Sequence, residues 1–181
     1  IQKMYDALVA EVNKITKAEF EIIFINDGSK DRTFEKMLAI ADSDSRVKYI
    51  SFSRNFGKEA GTIAGLEYAT GEAVILMDGD LQHPPALLPQ MIEAYEQGYD
   101  VVSARRTRTG EKPHRTFLAK HFYRLANKMM DIELMDGVSE FRLFSRKAVR
   151  AILSLQEYNR FSKGIFSWIG FKEKEIGRAH V

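Results

Sequence analysis

Asp78-Gly79-Asp80 places two carboxylates two residues apart, directly after the apolar run Ala73 to Met77. In an extended segment, side chains two apart point to the same side, with backbones about 7 Å apart. Gln82 continues that face if the chain stays extended. Gly79 lets a ligand approach the main chain closely. Oxygen donors of this kind suit a hard cation, Mg²⁺ or Mn²⁺, that keeps positions for phosphate oxygens and water. Carboxylates left uncompensated at the end of a buried strand repel each other, and a metal diphosphate removes that cost. An isolated Asp-x-Asp can equally be a turn that caps the next helix. Two things favour the ligand: Gln82-His83-Pro84-Pro85 follows at once, and a second polar turn, Asn26-Asp27-Gly28-Ser29, ends another apolar run. His83, His114 and His121 are not spaced as a metal cluster and read as incidental.

The elements that must hold these turns follow from hydrophobic spacing. Met4, Leu8, Val12 and Ile15 recur with helical period, predicting an amphipathic helix to about Thr16. Short apolar runs predict strands at Glu21 to Ile25, Val47 to Phe52, Ala73 to Met77, Val101-Val102 and Phe141 to Phe144. Helices are expected at Asp31 to Ala41, Gly57 to Ala69, and Pro84 to Gly98, the last with proline first and glycine last. Further helices are expected at Arg115 to Met130 and Arg146 to Leu153, with an aromatic segment from Phe161 to Phe171 and a charged, strand-like segment after it. Solid apolar strands alternating with helices imply an α/β fold, a Rossmann-like, mostly parallel sheet covered on both faces. In such sheets ligands bind beyond the carboxyl ends of the strands. Both polar turns fall there.

Composition narrows the chemistry. A chain of 181 residues, 45% apolar and 29% charged, is an ordinary size and make-up for a single folded domain. It has no cysteine, which excludes disulfides, thiolate nucleophiles and zinc–thiolate sites. The net charge of +2 is unevenly spread. Ser103 to Lys128 holds Arg105, Arg106, Arg108, Lys112, Arg115, Lys120, Arg124 and Lys128 against Glu111 alone, which implies a polyanionic partner. On the Arg115 to Met130 helix, Lys120, Arg124 and Lys128 form a stripe opposite Leu118, Phe122, Leu125 and Met129. That pattern fits either a solvated basic face or a helix lying on an anionic membrane. Nucleic acid is not expected, because no aromatic residues interleave with the basic ones as a stacking platform. Phe161, Phe166, Trp168 and Phe171 read mainly as core.

Ile25 to Thr33, Ser53-Arg54-Asn55-Phe56-Gly57-Lys58 and Met77 to Pro85 closely resemble family 2 glycosyltransferases. The nearer likeness is to the branch of dolichol-phosphate mannose synthases and bactoprenol glucosyltransferases. Glu140-Phe141-Arg142-Leu143 and Arg160-Phe161 through Phe171 extend it over nearly the whole chain, in order. The resemblance implies a GT-A fold and one catalytic domain over residues 1–181. Both ends read as cuts in something longer, with the first nucleotide-binding strand and a C-terminal membrane region absent. It implies that Asn26, Asp27, Gly28 and Ser29 lie against base and ribose, and that Asp78, Asp80 and Gln82 hold the metal. Gly79, Lys58, Arg105, Arg106 and Arg115 would contact substrate phosphates and sugar, while Asp80, Glu140 and Arg142 would serve catalysis. Three positions depart from the family pattern: Asn26 where aspartate is common, Gly79 for alanine, and Glu140 for aspartate, a methylene longer.

The activity so implied is inverting transfer of a hexose from a UDP- or GDP-linked sugar to a polyprenyl phosphate, undecaprenyl or dolichyl. It would depend on Mg²⁺ or Mn²⁺ and take place at the cytoplasmic face of a membrane. A homo-oligomer is compatible with the sequence. Two other readings stay open: a family 2 transferase with a saccharide hydroxyl acceptor, and a non-catalytic domain that binds nucleotide sugar.

Overall fold

The computed structural model describes residues 1–106, 138–155, 165–166 and 169–179. In order, the elements are α1 Gln2–Val12, β1 Ile22–Asn26, α2 Thr33–Ser43, β2 Val47–Ser51, α3 Lys58–Tyr68 and β3 Ala73–Leu76. A short 3₁₀ turn, Pro85–Leu87, leads into α4 Leu88–Glu96; β4 Val101–Arg106, β5 Val138–Ser145, α5 Arg146–Ser154 and β6 Glu173–Ala179 follow. The expected basic helix from Arg115 to Met130 lies outside the described residues, as do Phe161 and Trp168 of the aromatic segment.

β1 and β2 form a parallel pair, and the other strands form a sheet in the order β3-β5-β4-β6. β5 runs antiparallel to both β3 and β4, whereas β4 and β6 are parallel. The α/β class is the expected one. The direction of β5 is new, because a strand buried on both faces is apolar whichever way it runs. Its consequence is positional. With β5 reversed between them, β3, β4 and β6 end at the edge where β5 begins.

Alternation along β5 explains the two-sided core. Phe141 and Leu143 face a cluster with Val102, Leu87, Leu88 and Met91, under α4 and the end of α1. Phe144 faces the opposite cluster with Val101, Leu66, Val149, Ile152 and Phe166, under α3 and α5. Phe166 stacks obliquely on Phe144, ring centres 4.7 Å apart, so this aromatic is core as expected. Each fully buried phenylalanine contributes about 2–3 kcal/mol through the apolar area it removes from water. Helix α5 starts where Ser145 accepts the Ala148 N–H, a side-chain N-cap.

The β1–β2 pair carries its own apolar face. Ile22 and Phe24 pack on Met37, Ile40 and Val47, with Tyr5, Leu8 and Val9 of α1 closing over them. On the other face, Ile25 sits against the backbone groove left by Gly61 and Gly65 of α3. Glu21 clasps the β1–β2 pair to the start of β3. Its carboxylate accepts from the Thr70 N–H and hydroxyl and the Gly71 N–H, and it pairs with Lys48 at 2.7 Å. Burial pushes this carboxyl up, but Lys48 and the Thr70 and Gly71 donors outweigh it and hold it at about 2. Among the described residues no helix is long and apolar enough to cross a membrane.

The Glu21 clasp has a defined pH signature. A carboxyl depressed from the ordinary 4.5 to about 2 stabilises the fold fully above pH 4.5 and loses that effect as pH falls toward 2. Glu21→Gln should cost about 1–2 kcal/mol at pH 7. In urea unfolding across pH 7 to 2.5, the gap between variant and wild type should narrow below pH 4.5.

Candidate active site

The chain leaves β1 through Asn26 and Asp27, and each side chain is already committed to building the turn. Asn26 is buried; its amide donates to Ser51 Oγ at 2.9 Å and accepts the Ser29 N–H at 3.0 Å. Asp27 accepts the N–H groups of Phe56 and Gly57 at 2.7 and 2.9 Å. Gly28, with φ +67°, lies so close to the Arg54–Asn55 backbone that a Cβ would come within 2.4 Å of Arg54 C. The turn expected to receive base and ribose is thus docked against the loop over residues 52–57, and its best donors and acceptors serve that docking. In the loop, Arg54 lies over the Phe56 ring, 4.2 Å from its centre. Asp27 thereby fixes the point from which α3 starts, and with it Lys58, the helix's first residue.

At the carboxyl end of β3 the register decides what meets. Ile75 pairs with Leu143 and Leu76 with Arg142. Two residues past the end of β3, Asp78 comes close enough to Glu140 of β5 for one ammonium to contact both. Like charges so near each other repel. Lys58 resolves this: its ammonium lies 2.7 Å from Asp78 Oδ1 and also pairs with Glu140 Oε2. Burial, the largest influence, pulls the Lys58 pKa down, but hydrogen bonds and charge from Asp78 and Glu140 raise it on balance. Of the two strand-end carboxylates expected to lack a counter-charge, Asp78 and Asp80, Asp78 is therefore already paired. Lys58, expected on the substrate, here supplies its counter-charge.

Beyond Asp78 the chain does not stay extended. Asp80 Oδ1 accepts the Gln82 N–H at 3.0 Å, and Leu81 turns through φ +64°. The expectation that strand alternation would carry Gln82 onto the Asp78 face is therefore corrected: an Asx-type bond and one left-handed residue redirect the backbone. Asp80 and Gln82 are exposed in this turn. At Gly79 an added Cβ would meet nothing within 4 Å, so the open side of the turn admits a methyl or a ligand.

His83 is the residue that sequence reasoning undervalued. It is 3% exposed, lies parallel to Phe141 with ring centres 5.2 Å apart, and accepts the Asp78 N–H on Nδ1 at 3.0 Å. Its Nε2 lies 3.8 Å from Asp78 Oδ2. This imidazole sets the backbone of the acidic turn against β5. The signal for it was its place between Gln82 and Pro84 within a matched motif, not any metal-ligand spacing.

The expected arginines separate. Arg142 is 4% exposed, 5.5 Å from the Phe166 ring centre and 3.8 Å from Glu173. Burial lowers its pKa, opposed by Glu173, Glu140 and Glu175. It is a buried positive charge on the same strand as Glu140, two residues further along β5. Arg105 is exposed near the end of β4, 3.5 Å from Glu175 Oε2. Arg106 ends β4, and Arg115 lies outside the described residues.

The donor set fits a cation that arrives with a diphosphate. Among the described residues no three His, Cys, Asp or Glu side chains gather into a metal cage. Mg²⁺-type sites need only one or two protein carboxylates when substrate phosphates complete the shell. Asp78, Asp80 and the Gln82 amide oxygen are such hard donors within one turn, although the backbone there takes Gln82 off the Asp78 face.

A mixed sheet between helices, with an acidic turn at a strand end facing a second carboxylate, defines the GT-A class of glycosyltransferase fold. A solved mannosyltransferase, PcManGT from Pyrobaculum calidifontis in complex with GDP-Man and Mn²⁺, superposes with a TM-score of 0.64. The match covers 99% of this chain and 53% of that one at 13% identity, a likeness of fold alone. The chain belongs to glycosyl transferase family 2, whose model matches residues 1–153. CsbB of Bacillus subtilis (strain 168), which carries a provisional glycosyltransferase name, is 52% identical over 97% of this chain and 53% of its own length. The bactoprenol glucosyl transferase of Shigella phage SfX is 45% identical over 90% of this chain and 53% of its own. The chain thus spans about half the length of the curated relatives it matches.

Two substitutions test this construction by urea unfolding. Gly28→Ala should cost at least about 2 kcal/mol, since a left-handed backbone and a backbone clash coincide. His83→Ala should cost about 2–4 kcal/mol by opening a cavity beside Phe141 and leaving the Asp78 N–H without its acceptor. A cost below about 0.5 kcal/mol at either position contradicts the packing described.

Proposed function

We propose that this chain is the core of a metal-dependent, inverting hexosyltransferase that moves a sugar from a nucleotide-diphosphate sugar to a polyprenyl phosphate. One observation carries the reading: Asp78, just past β3, and Glu140, on β5, share the Lys58 ammonium at the strand-end edge, in a chain 45% identical to a bactoprenol glucosyl transferase. Asp78, Asp80 and Gln82 would hold Mg²⁺ or Mn²⁺, which when bound offsets charge on the departing diphosphate. The Asn26 to Ser29 turn, locked to the loop ahead of α3, forms the nucleotide side through its backbone and rim.

The acceptor phosphate, with a second pKa of about 6, is largely dianionic at neutral pH and needs no general base. Its oxygen attacks the anomeric carbon as the bond to the leaving diphosphate breaks on the opposite face, giving inversion. Glu140 then orients the acceptor or a cation beside it. Arg105, Arg106 and Arg115 hold the acceptor phosphate in line, where positioning supplies much of the rate. Arg142 supplies a buried positive charge on Glu140's strand. The basic stripe Lys120, Arg124 and Lys128 suits the cytoplasmic surface of an anionic membrane, each residue adding about 1 kcal/mol near it.

The test is transfer by the full-length protein from a panel of labelled UDP- and GDP-sugars to undecaprenyl or dolichyl phosphate, with and without chelator. The expected product is one lipid-linked hexose, lost on chelation and reduced about a hundredfold or more by Asp78→Asn. Glu140→Ala should raise the acceptor KM more than it lowers kcat. A collapse of kcat by about 10²–10⁴ would instead mark a hydroxyl acceptor that needs a base. Tight nucleotide-sugar binding with neither transfer nor hydrolysis would make the domain a binding module and end the enzymatic reading.

A further inference from the structure

We propose that Lys58 is a resident counter-ion of the donor site: an incoming divalent cation must displace its ammonium from Asp78, leaving it on Glu140. The inference rests on the metal reading above and adds an occupant to that site. Lys58 is the first residue of α3, the positive pole of the helix, where a cation is ordinarily unfavourable. What holds it there is the pair of carboxylates, Asp78 at 2.7 Å and Glu140, both in direct contact with the ammonium. Its backbone is pinned through Gly57, whose N–H, with that of Phe56, is held by Asp27. The main chain is thus anchored while the charge sits at the far end of a flexible stem.

That combination suits exchange. An ammonium is a compact charge on four rotatable carbons and can swing without repacking its surroundings, unlike a planar guanidinium held by a fork of bonds. The Lys58 side chain is 54% exposed, so water is available to it along the way. A divalent cation on Asp78 Oδ1 would stand against the ammonium at a separation where like charges repel. Asp78 therefore cannot serve both at once. Glu140, which the ammonium already contacts, keeps hold of it when the bond to Asp78 is given up. Metal alone must overcome the Lys58–Asp78 pair, whereas metal with a diphosphate brings the negative charge that offsets it. Donor loading would then also place a lysine fully on the acceptor side.

The experiment measures Mn²⁺ binding alone, without nucleotide, to the full-length protein by electron paramagnetic resonance or calorimetry. Wild type, Lys58→Gln, Lys58→Arg and Asp78→Asn are compared, with thermal melting to establish that each is folded. Removing a half-exposed competitor charge should tighten Mn²⁺ binding roughly fivefold in Lys58→Gln, and in Lys58→Ala should glutamine disturb the fold. Lys58→Arg, which keeps the charge and holds it by a fork of bonds, should bind Mn²⁺ no more tightly than wild type. Equal or weaker Mn²⁺ binding in Lys58→Gln overturns the displacement while leaving the metal reading intact, provided Asp78→Asn abolishes binding. Failure of every form to take up Mn²⁺, with or without UDP or GDP, overturns both.

Discussion

Two carboxylates held within reach of a single ammonium repel unless positive charge lies between them. Asp78, two residues past β3, and Glu140, on the antiparallel β5 beside it, stand in that relation, 36% and 31% exposed. Something positive has to lie between them, and in this chain it is Lys58. The requirement reaches outward from there. α3 must begin at one place to deliver the lysine, Asp27 must grip the loop that starts α3, and Gly28 must let that loop come close enough to be gripped. Below the sheet surface, Arg142 adds a further positive charge on the strand of Glu140, enclosed by Phe166 and Glu173.

Much of this could be read beforehand. Ala73 to Leu76 and Val101-Val102 declare strands by their apolar runs, and of these Val101 and Val102 are fully buried while β3 is half-buried along its length. The turns at their ends follow, since a chain leaving such a strand must be polar. The Pro-Pro entry to α4 is equally local: proline fixes φ and gives up a donor that the first turn of a helix does not use. Motif order then pointed to a family whose model matches residues 1–153.

What stayed hidden was pairing between distant segments. Hydropathy does not say that β5 inserts antiparallel between β3 and β4, so the approach of Asp78 to Glu140 could not be foreseen. Lys58 looked like a substrate contact because its partners lie 20 and 82 residues further along the chain. His83 looked incidental for a related reason: its value lies in a stack on Phe141 of β5 and a bond to the Asp78 backbone. At Asn26 and Asp27 the structure shows a local task that the sequence did not. Their polarity suggested a ligand, whereas their hydrogen bonds go first to Ser51, Ser29, Phe56 and Gly57. Polar residues at strand ends must satisfy the protein before they can serve anything else.

The meeting of Asp78 with Glu140 has an architectural result. Asp78 follows β3 by two residues and Glu140 lies on β5, so the interval between the two carboxylates is governed by the pairing of those two strands. Four backbone pairs, from Ala73–Ser145 to Leu76–Arg142, lead up to it, and a slip of one residue in that pairing would turn Glu140 to the other face of the sheet.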